Sequence, residues 1–399
     1  MTGANSPPLG LKALGLATPL GHGKQAVAEA LFRGTRAGLI IRDDLVSDTE
    51  IYAGAVTDPL PIIPDSLAAF DCRNNRLMLA ALMEIDDQIA DIKDRVGAQR
   101  IAVVLGTSTS GIAETEVALE QFQQTGSWPD SYDFRMLEAG GLAEFAARWL
   151  GLDGPAYCIT TACSSSAKVF ASARRLLSAG LCDAAIVGGA DSLCRMTLNG
   201  FGALEALSAG QCNPFSANRD GINIGEGAAA FLMSPEPGPV NLLGVGETSD
   251  AHHISAPDPE GTGAALAMSQ ALNEAGLGPD VIDYVNLHGT GTALNDAMES
   301  RAVASLFPAD LPCSSTKAMT GHMLGAAGAC EAAFLWLCLN PEFNPGYLPP
   351  HLWDNVPDPE LPPLNLVTAG TTFVRSETSA MLSNSFAFGG SNTSLVMGN

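Results

Sequence analysis

Two segments constrain the fold of this chain more than any others: YCITTACSSSAKVFASA at 157–173 and CSSTKAMTGHMLGAAGACEAA at 313–333. Each reads as a short apolar strand followed by a helix built from Ala, Ser, Gly and Cys. A helix without a charged face or bulky side chains belongs in an interior, where neighbouring backbones can approach it closely. A second pair points the same way. AVVLGTSTSG at 102–111 and DYVNLHGTGT at 283–292 are both apolar strands ending in a small-residue turn. The chain thus carries the trace of a duplication.

Around these segments, apolar runs alternate with longer Ala/Leu-rich stretches, the pattern of an α/β protein with a buried sheet. Strands are expected at 101–105, 157–160, 184–188, 228–233, 240–246, 281–287 and 311–314, with a terminal hairpin at 379–385 and 392–397. Helices are expected at 72–94, 113–124, 138–150, 163–180, 263–276, 295–306 and 324–338. The Pro-rich stretch SPEPGPV at 234–240 is the natural hinge. It separates an N-terminal half, 1–236, from a C-terminal half, 237–399, read as two similar α/β units packed face to face.

Composition narrows the function. At 399 residues, 46% of them hydrophobic and 16% charged, the chain can bury a large core or a subunit interface. A net charge of −23 argues against nucleic acid as a partner, since phosphates call for a basic surface. No apolar run reaches transmembrane length, and the N-terminus lacks the basic and apolar regions of a secretory leader. A soluble, cytoplasmic protein is expected. Its nine cysteines form no CxxC pair and read as free thiols.

A single cysteine is ordinarily a small buried apolar residue. Cys163 differs in place: it follows a strand and opens a small-residue helix, whose N-terminal dipole and free amides favour a nucleophilic thiolate. His288, in LHGTGT, and His322, in STKAMTGHMLGAAG, stand at matching strand-to-helix junctions of the other half. One cysteine and two of the chain's six histidines at such turns make a convergent site.

With these residues in view, the chain resembles the β-ketoacyl-acyl-carrier-protein synthases of the elongating kind, condensing enzymes of the thiolase fold. The matching motifs are TACSSS at 161–166, NPFSANRDGINIGEGA at 213–228, DAHHISAPDPEG at 250–261, LHGTGTALND at 287–296, SSTKAMTGHMLGAAG at 314–328 and NSFAFGGSN at 384–392. They span both halves in the family's order. Departures are Ser166 and Ala387 where the family usually has Gly, Ser391 where it has Thr, and Ser216 where Asp is common.

The resemblance implies a layered αβαβα architecture and a ping-pong condensation. Cys163 takes an acyl group from an acyl carrier protein; a malonyl carrier then loses carbon dioxide and attacks it. Backbone amides of Cys163 and Phe388 would hold the tetrahedral oxyanion, and His288 and His322 the enolate. Lys317, with Glu331 as partner, would fix the network. Thr290 and Thr292 suit the amides of a phosphopantetheine arm, and Phe386 and Phe388, beside Gly389 and Gly390, suit a gate. Arg219, Asp220, Glu226 and His253 resemble bracing residues. No metal and no cofactor of the enzyme's own is implied, because the arm arrives on the carrier. A homodimer or a heterodimer with a related chain is expected.

Two expectations concern specificity. An acidic carrier needs a local basic patch, and Arg73 and Arg76 are the candidates, with Arg135 weaker. Ser108, Thr109 and Ser110 fall where the family lines the end of its acyl pocket, suggesting a shorter, unsaturated or more polar chain from a polyene or polyketide pathway. A thiolase would need a second cysteine in a C-terminal CxG motif, absent here. Initiating synthases carry Asn where this chain has His322. A non-catalytic chain-length partner would lack the nucleophile, although the chain can still be the active half of such a pair.

Overall fold

The computed structural model describes residues 7–47 and 49–399; residues 1–6, the start of the stretch read for a leader, lie outside it. The first half holds β1 (Leu9–Thr18), β2 (Gly21–His22), β3 (Leu39–Arg42), β4 (Ile51–Gly54), β5 (Ile101–Gly106), β6 (Ala156–Ile159), β7 (Ala184–Asp191) and β8 (Gly227–Ser234). Its helices are α1 (Lys24–Arg33), α2 (Arg73–Met83), α3 (Asp86–Val96), α4 (Ile112–Thr125), α5 (Gly141–Leu150), α6 (Ser165–Ser178) and α7 (Arg195–Ala203). The second half holds β9 (Val240–Ser249), β10 (Tyr284–Asn286), β11 (Pro312–Ser314), β12 (Asn365–Leu366), β13 (Ala380–Ala387) and β14 (Ser391–Gly398). Its helices are α8 (Thr262–Ala275), α9 (Ala293–Leu306), α10 (Lys317–Thr320) and α11 (Ala327–Leu339).

The duplication is explicit in the strand order. The first half runs β6-β5-β7-β8-β1 and the second β11-β10-β13-β14-β9, with β12 added at its edge. Numbered within its own half, each reads 3-2-4-5-1, with the first three strands parallel and the last two joining antiparallel. The halves meet where β1 pairs with β9 over Leu9–Leu242, Gly10–Asn241 and Leu11–Val240.

Between the two sheets lie α6 and α11, whose side chains share one core with strands of both halves. All 13 residues of α11 are buried, as its small-residue composition requires. The contact is close enough that a Cβ on Gly328 would sit 2.7 Å from the Ala167 nitrogen. On the outer faces, α2, α3 and α5 cover the first sheet, and α8 and α9 cover the second. The result is the expected αβαβα layering, with the two central helices pointing the small-residue turns toward one place.

Three local expectations change. The helix expected over 72–94 breaks at Glu84 and Ile85, where Ile85 adopts φ −125°. The Glu84 carboxylate there accepts from the Leu16 N–H at 2.9 Å and from Lys24 at 3.2 Å. The helix expected from 163 starts at Ser165, leaving Cys163 in the turn before it. Strand β1 was not expected: LGLKALGLAT carries Lys12 and two glycines and has no Val or Ile, so it lacks the β-branched apolar run that marks β5.

Candidate active site

Cys163 is delivered by a sharp turn from β6 into α6, with Ala162 in the left-handed region at φ +51°. His322 comes from the loop between α10 and α11. Its backbone is tied into the first half by His322 N–H to Asn223 O at 2.7 Å and Gly225 N–H to His322 O at 2.9 Å. These turns place His322 Nε2 2.9 Å from Cys163 Sγ. His288 follows β10, its ring stacked edge-on to that of His322 at 5.2 Å between centroids. The three residues predicted to converge are brought together, each buried.

Burial sets the electrostatics. Desolvation pushes the Cys163 thiol up to about 11, opposed by the Lys317 charge and by the backbone N–H groups of Phe388 and Cys163, which lie against the sulfur. This corrects the expectation of a resting thiolate: the helix start helps, but desolvation outweighs it and the group rests as a thiol. The same burial, with Lys317 nearby, holds His288 and His322 well below the usual histidine range, so both are neutral.

Lys317 and Glu331 form a buried ion pair, not a surface one. Lys317 Nζ also lies 3.4 Å from His288 Nδ1. An ammonium only donates, so His288 Nδ1 accepts and Nε2 carries the hydrogen. His322 Nδ1 has no hydrogen-bond partner among the described residues.

Sulfur and imidazole nitrogens of Cys163, His288 and His322 fall within 4.8 Å of one another, a set a soft cation could bridge. The ammonium beside His288 works against one.

A cavity of about 330 Å³ runs from this cluster to the surface past Thr290, Thr292, Phe386 and Phe388. The Thr290 and Thr292 hydroxyls stand 2.9 Å apart. Phe386 is buried beside His288, whereas Phe388 is 37% exposed and rests against Phe201 of α7 at 5.7 Å. Behind it, Gly389 and Gly390 hold φ of +86° and +76°, conformations that favour glycine.

Other expected residues are engaged elsewhere. Thr109 is 1% exposed, and its hydroxyl donates to Asp191 at 2.8 Å and accepts from Ser192 N–H at 3.0 Å, leaving nothing for a substrate. Arg73 donates to the buried Glu226 at 2.5 and 2.8 Å, and Arg76 to Asp71 at 2.6 and 2.7 Å. Arg135 is paired with Asp133. Arg219 holds Asp358, Asp220 accepts from Ser208, and His253 accepts from the Ser255 and Ala256 amides, all contacts that brace loops.

The sequence reading passed over Glu299, which accepts from the His288 and Gly289 N–H groups at 2.7 Å each, and whose carboxyl burial pushes up to about 7. It also passed over Asp296, which accepts from Phe215 N–H at 2.8 Å. The available signal was two acids, 8 and 11 residues after His288, one helical turn apart among Met298, Ala302 and Val303.

Residues 13–237 match the β-ketoacyl synthase N-terminal domain and residues 240–352 its C-terminal domain. The chain belongs to the β-ketoacyl synthase family. This synthase is 34% identical over 337 residues to the 3-oxoacyl-acyl-carrier-protein synthase 2 of Staphylococcus aureus strain N315, covering 80% of each chain. Among solved structures it resembles a ketosynthase in complex with its chain length factor from Xenorhabdus doucetiae, with 45% identity and a TM-score of 0.92 over 100% of this chain and 99% of that one. The ishigamide ketosynthase/chain length factor is similar at 28% identity and a TM-score of 0.85, over 99% of each chain. The synthase is therefore an acyltransferase, and the Cys163 cluster lies within the matched region.

Proposed function

We propose that this ketosynthase carries the growing acyl chain on Cys163 and extends it with a malonyl unit from an acyl carrier protein, in the cytoplasm, as the active subunit of a heterodimer. The observation that carries the reading is the cluster of one thiol and two neutral imidazoles lining a cavity of about 330 Å³. No cofactor of the enzyme's own is required, because that arm comes with the carrier.

Each expected role has a physical basis. As Cys163 attacks the carrier thioester, its proton passes to His322 Nε2 at 2.9 Å, and the oxyanion takes the N–H groups of Phe388 and Cys163. Losing such a donor typically costs about 3–4 kcal/mol of barrier. The carrier thiol leaves with the proton, and the acyl–sulfur bond replaces the old thioester. The malonyl thioester then loses carbon dioxide. Its enolate oxygen receives the Nε2–H of His288, whose tautomer Lys317 fixes. His322, with no fixed partner at Nδ1, can present Nε2 as acceptor to the thiol and then as donor to the enolate. The enolate carbon attacks the acyl group, a carbon–carbon bond forms as the acyl–sulfur bond breaks, and the released Cys163 thiolate takes up a proton from solvent through His322. Thr290 and Thr292 would hold the arm, and Phe388 on its glycine pair would separate loading from malonyl binding. The two halves, 1–236 and 237–399, divide this work between nucleophile and histidines.

The heterodimer reading rests on the full-length similarity to the Xenorhabdus ketosynthase solved with its chain length factor, together with the presence of Cys163. Neither the far pocket nor docking through Arg73 and Arg76 gains support, since Thr109 and both arginines are committed to protein partners. The test is to supply acyl and malonyl carriers and assay the β-ketoacyl carrier and carbon dioxide. Turnover that Cys163→Ala abolishes supports the reading; turnover surviving that change rejects it. Native mass spectrometry after co-expression with its genomic neighbours should show a one-to-one heterodimer, against a homodimer alone.

A further inference from the structure

Helix α11 carries Glu331 one turn from its start, yet it has no cap of its own. Ala326 occupies the cap position, and the first turn holds no acidic residue. Two side chains of the other half serve it instead. Asp191, at the end of β7, accepts from the Ala326 N–H at 2.9 Å, and Ser166 of α6 accepts from the Ala329 N–H at 2.8 Å. The Ala329 N–H is one of those left unpaired at a helix start, whereas the Ala326 N–H is shared between Asp191 and the Met323 carbonyl, also at 2.9 Å.

Both acceptors are held in place. Asp191 Oδ1 takes Ser108 N–H and Thr109 N–H at 2.7 Å each, Thr109 Oγ1 at 2.8 Å and Thr107 Oγ1 at 2.9 Å, leaving Oδ2 for the helix. Room for the Ser166 side chain depends on Gly189, where a Cβ would come within 2.7 Å of the serine Cβ. A carboxylate at a helix start is also favoured by the dipole.

We propose that Asp191 and Ser166 form a cap supplied by the first half to α11, and that this cap sets the position of Glu331 and, through Lys317, of His288. They are positioning residues for the decarboxylation step, an inference that rests on the reaction assigned above. The cap ties the nucleophile's half to the ion pair that orients the histidine. It also gives Ser166, one of the chain's departures from the family pattern, a task that glycine cannot perform.

The experiment separates the two half-reactions in Ser166→Ala and Asp191→Asn, each checked for fold by circular dichroism. Acyl loading of Cys163 is followed by intact mass, and carbon dioxide release from a malonyl carrier is followed directly. Losing one helix-capping hydrogen bond should slow release about tenfold while loading stays within about twofold. Asp191→Asn should shift the same step in the same direction. Ser166→Gly, which also lacks the hydroxyl, replaces any variant that does not fold and should show the same split. Release and loading falling in proportion, or neither falling, would overturn the proposal. A wild-type protein that neither loads nor releases would instead reject the reaction itself.

Discussion

The sulfur of Cys163 sits where burial opposes charge, so its reactivity depends on a neighbour that can take its proton. With the thiol pushed up to about 11, the thiolate fraction should grow about tenfold per pH unit through pH 8.5–10, where an ordinary thiol levels off. Iodoacetamide alkylation of Cys163, followed by peptide mass, should track that rise; a plateau near pH 8.5 would contradict it. Lys317 and Glu331 are a buried pair, so removing one partner strands the other. Lys317→Ala should cost about 3–5 kcal/mol of stability in denaturant titration, and should also slow carbon dioxide release. At this scale the sequence was informative where a residue type was tied to a turn: Cys163, His288 and His322 each stand at a strand-to-helix junction. Thr109 shows the converse. Its hydroxyl is plain in the sequence, but the buried Asp191 that captures it lies 82 residues away.

Among elements, the loop after β13 places two consecutive glycines, Gly389 and Gly390, in the left-handed region. A Cβ on Gly389 would meet nothing within 4 Å, so its φ of +86° is the only constraint there. Gly389→Val should therefore act by conformation, costing about 1–3 kcal/mol of local strain. Loading of Cys163 should slow severalfold, since the Phe388 amide moves with this loop; unchanged loading kinetics would count against a gate. Strands with a β-branched apolar run, such as β5, were legible although buried on both faces. β1 was not, because Lys12, two glycines and the lack of Val or Ile hide it, and the break between α2 and α3 was not, because the partners of Glu84 lie on β1 and α1.

Across the whole molecule, the duplicated order 3-2-4-5-1 explains why small-residue turns far apart in sequence meet. The repeat was faintly visible in paired segments, but the β1–β9 seam that joins the halves rests on three residue pairs with no local signature. The charge of −23 bears on carrier docking at the same scale. Arg76 is closed onto Asp71, so Arg76→Glu should leave the carrier KM within about twofold; a tenfold rise would restore this face as the docking site. Arg73→Glu would face the buried Glu226 and should destabilise the fold before it affects docking.

The central claim is that Cys163, among nine thiols, receives the acyl chain. Intact-mass analysis after exposure to acyl carriers, with peptide mapping, tests it most directly. A single acyl adduct on the peptide containing Cys163, absent in Cys163→Ala, is the predicted result. No adduct, or one on any other cysteine, would contradict the account.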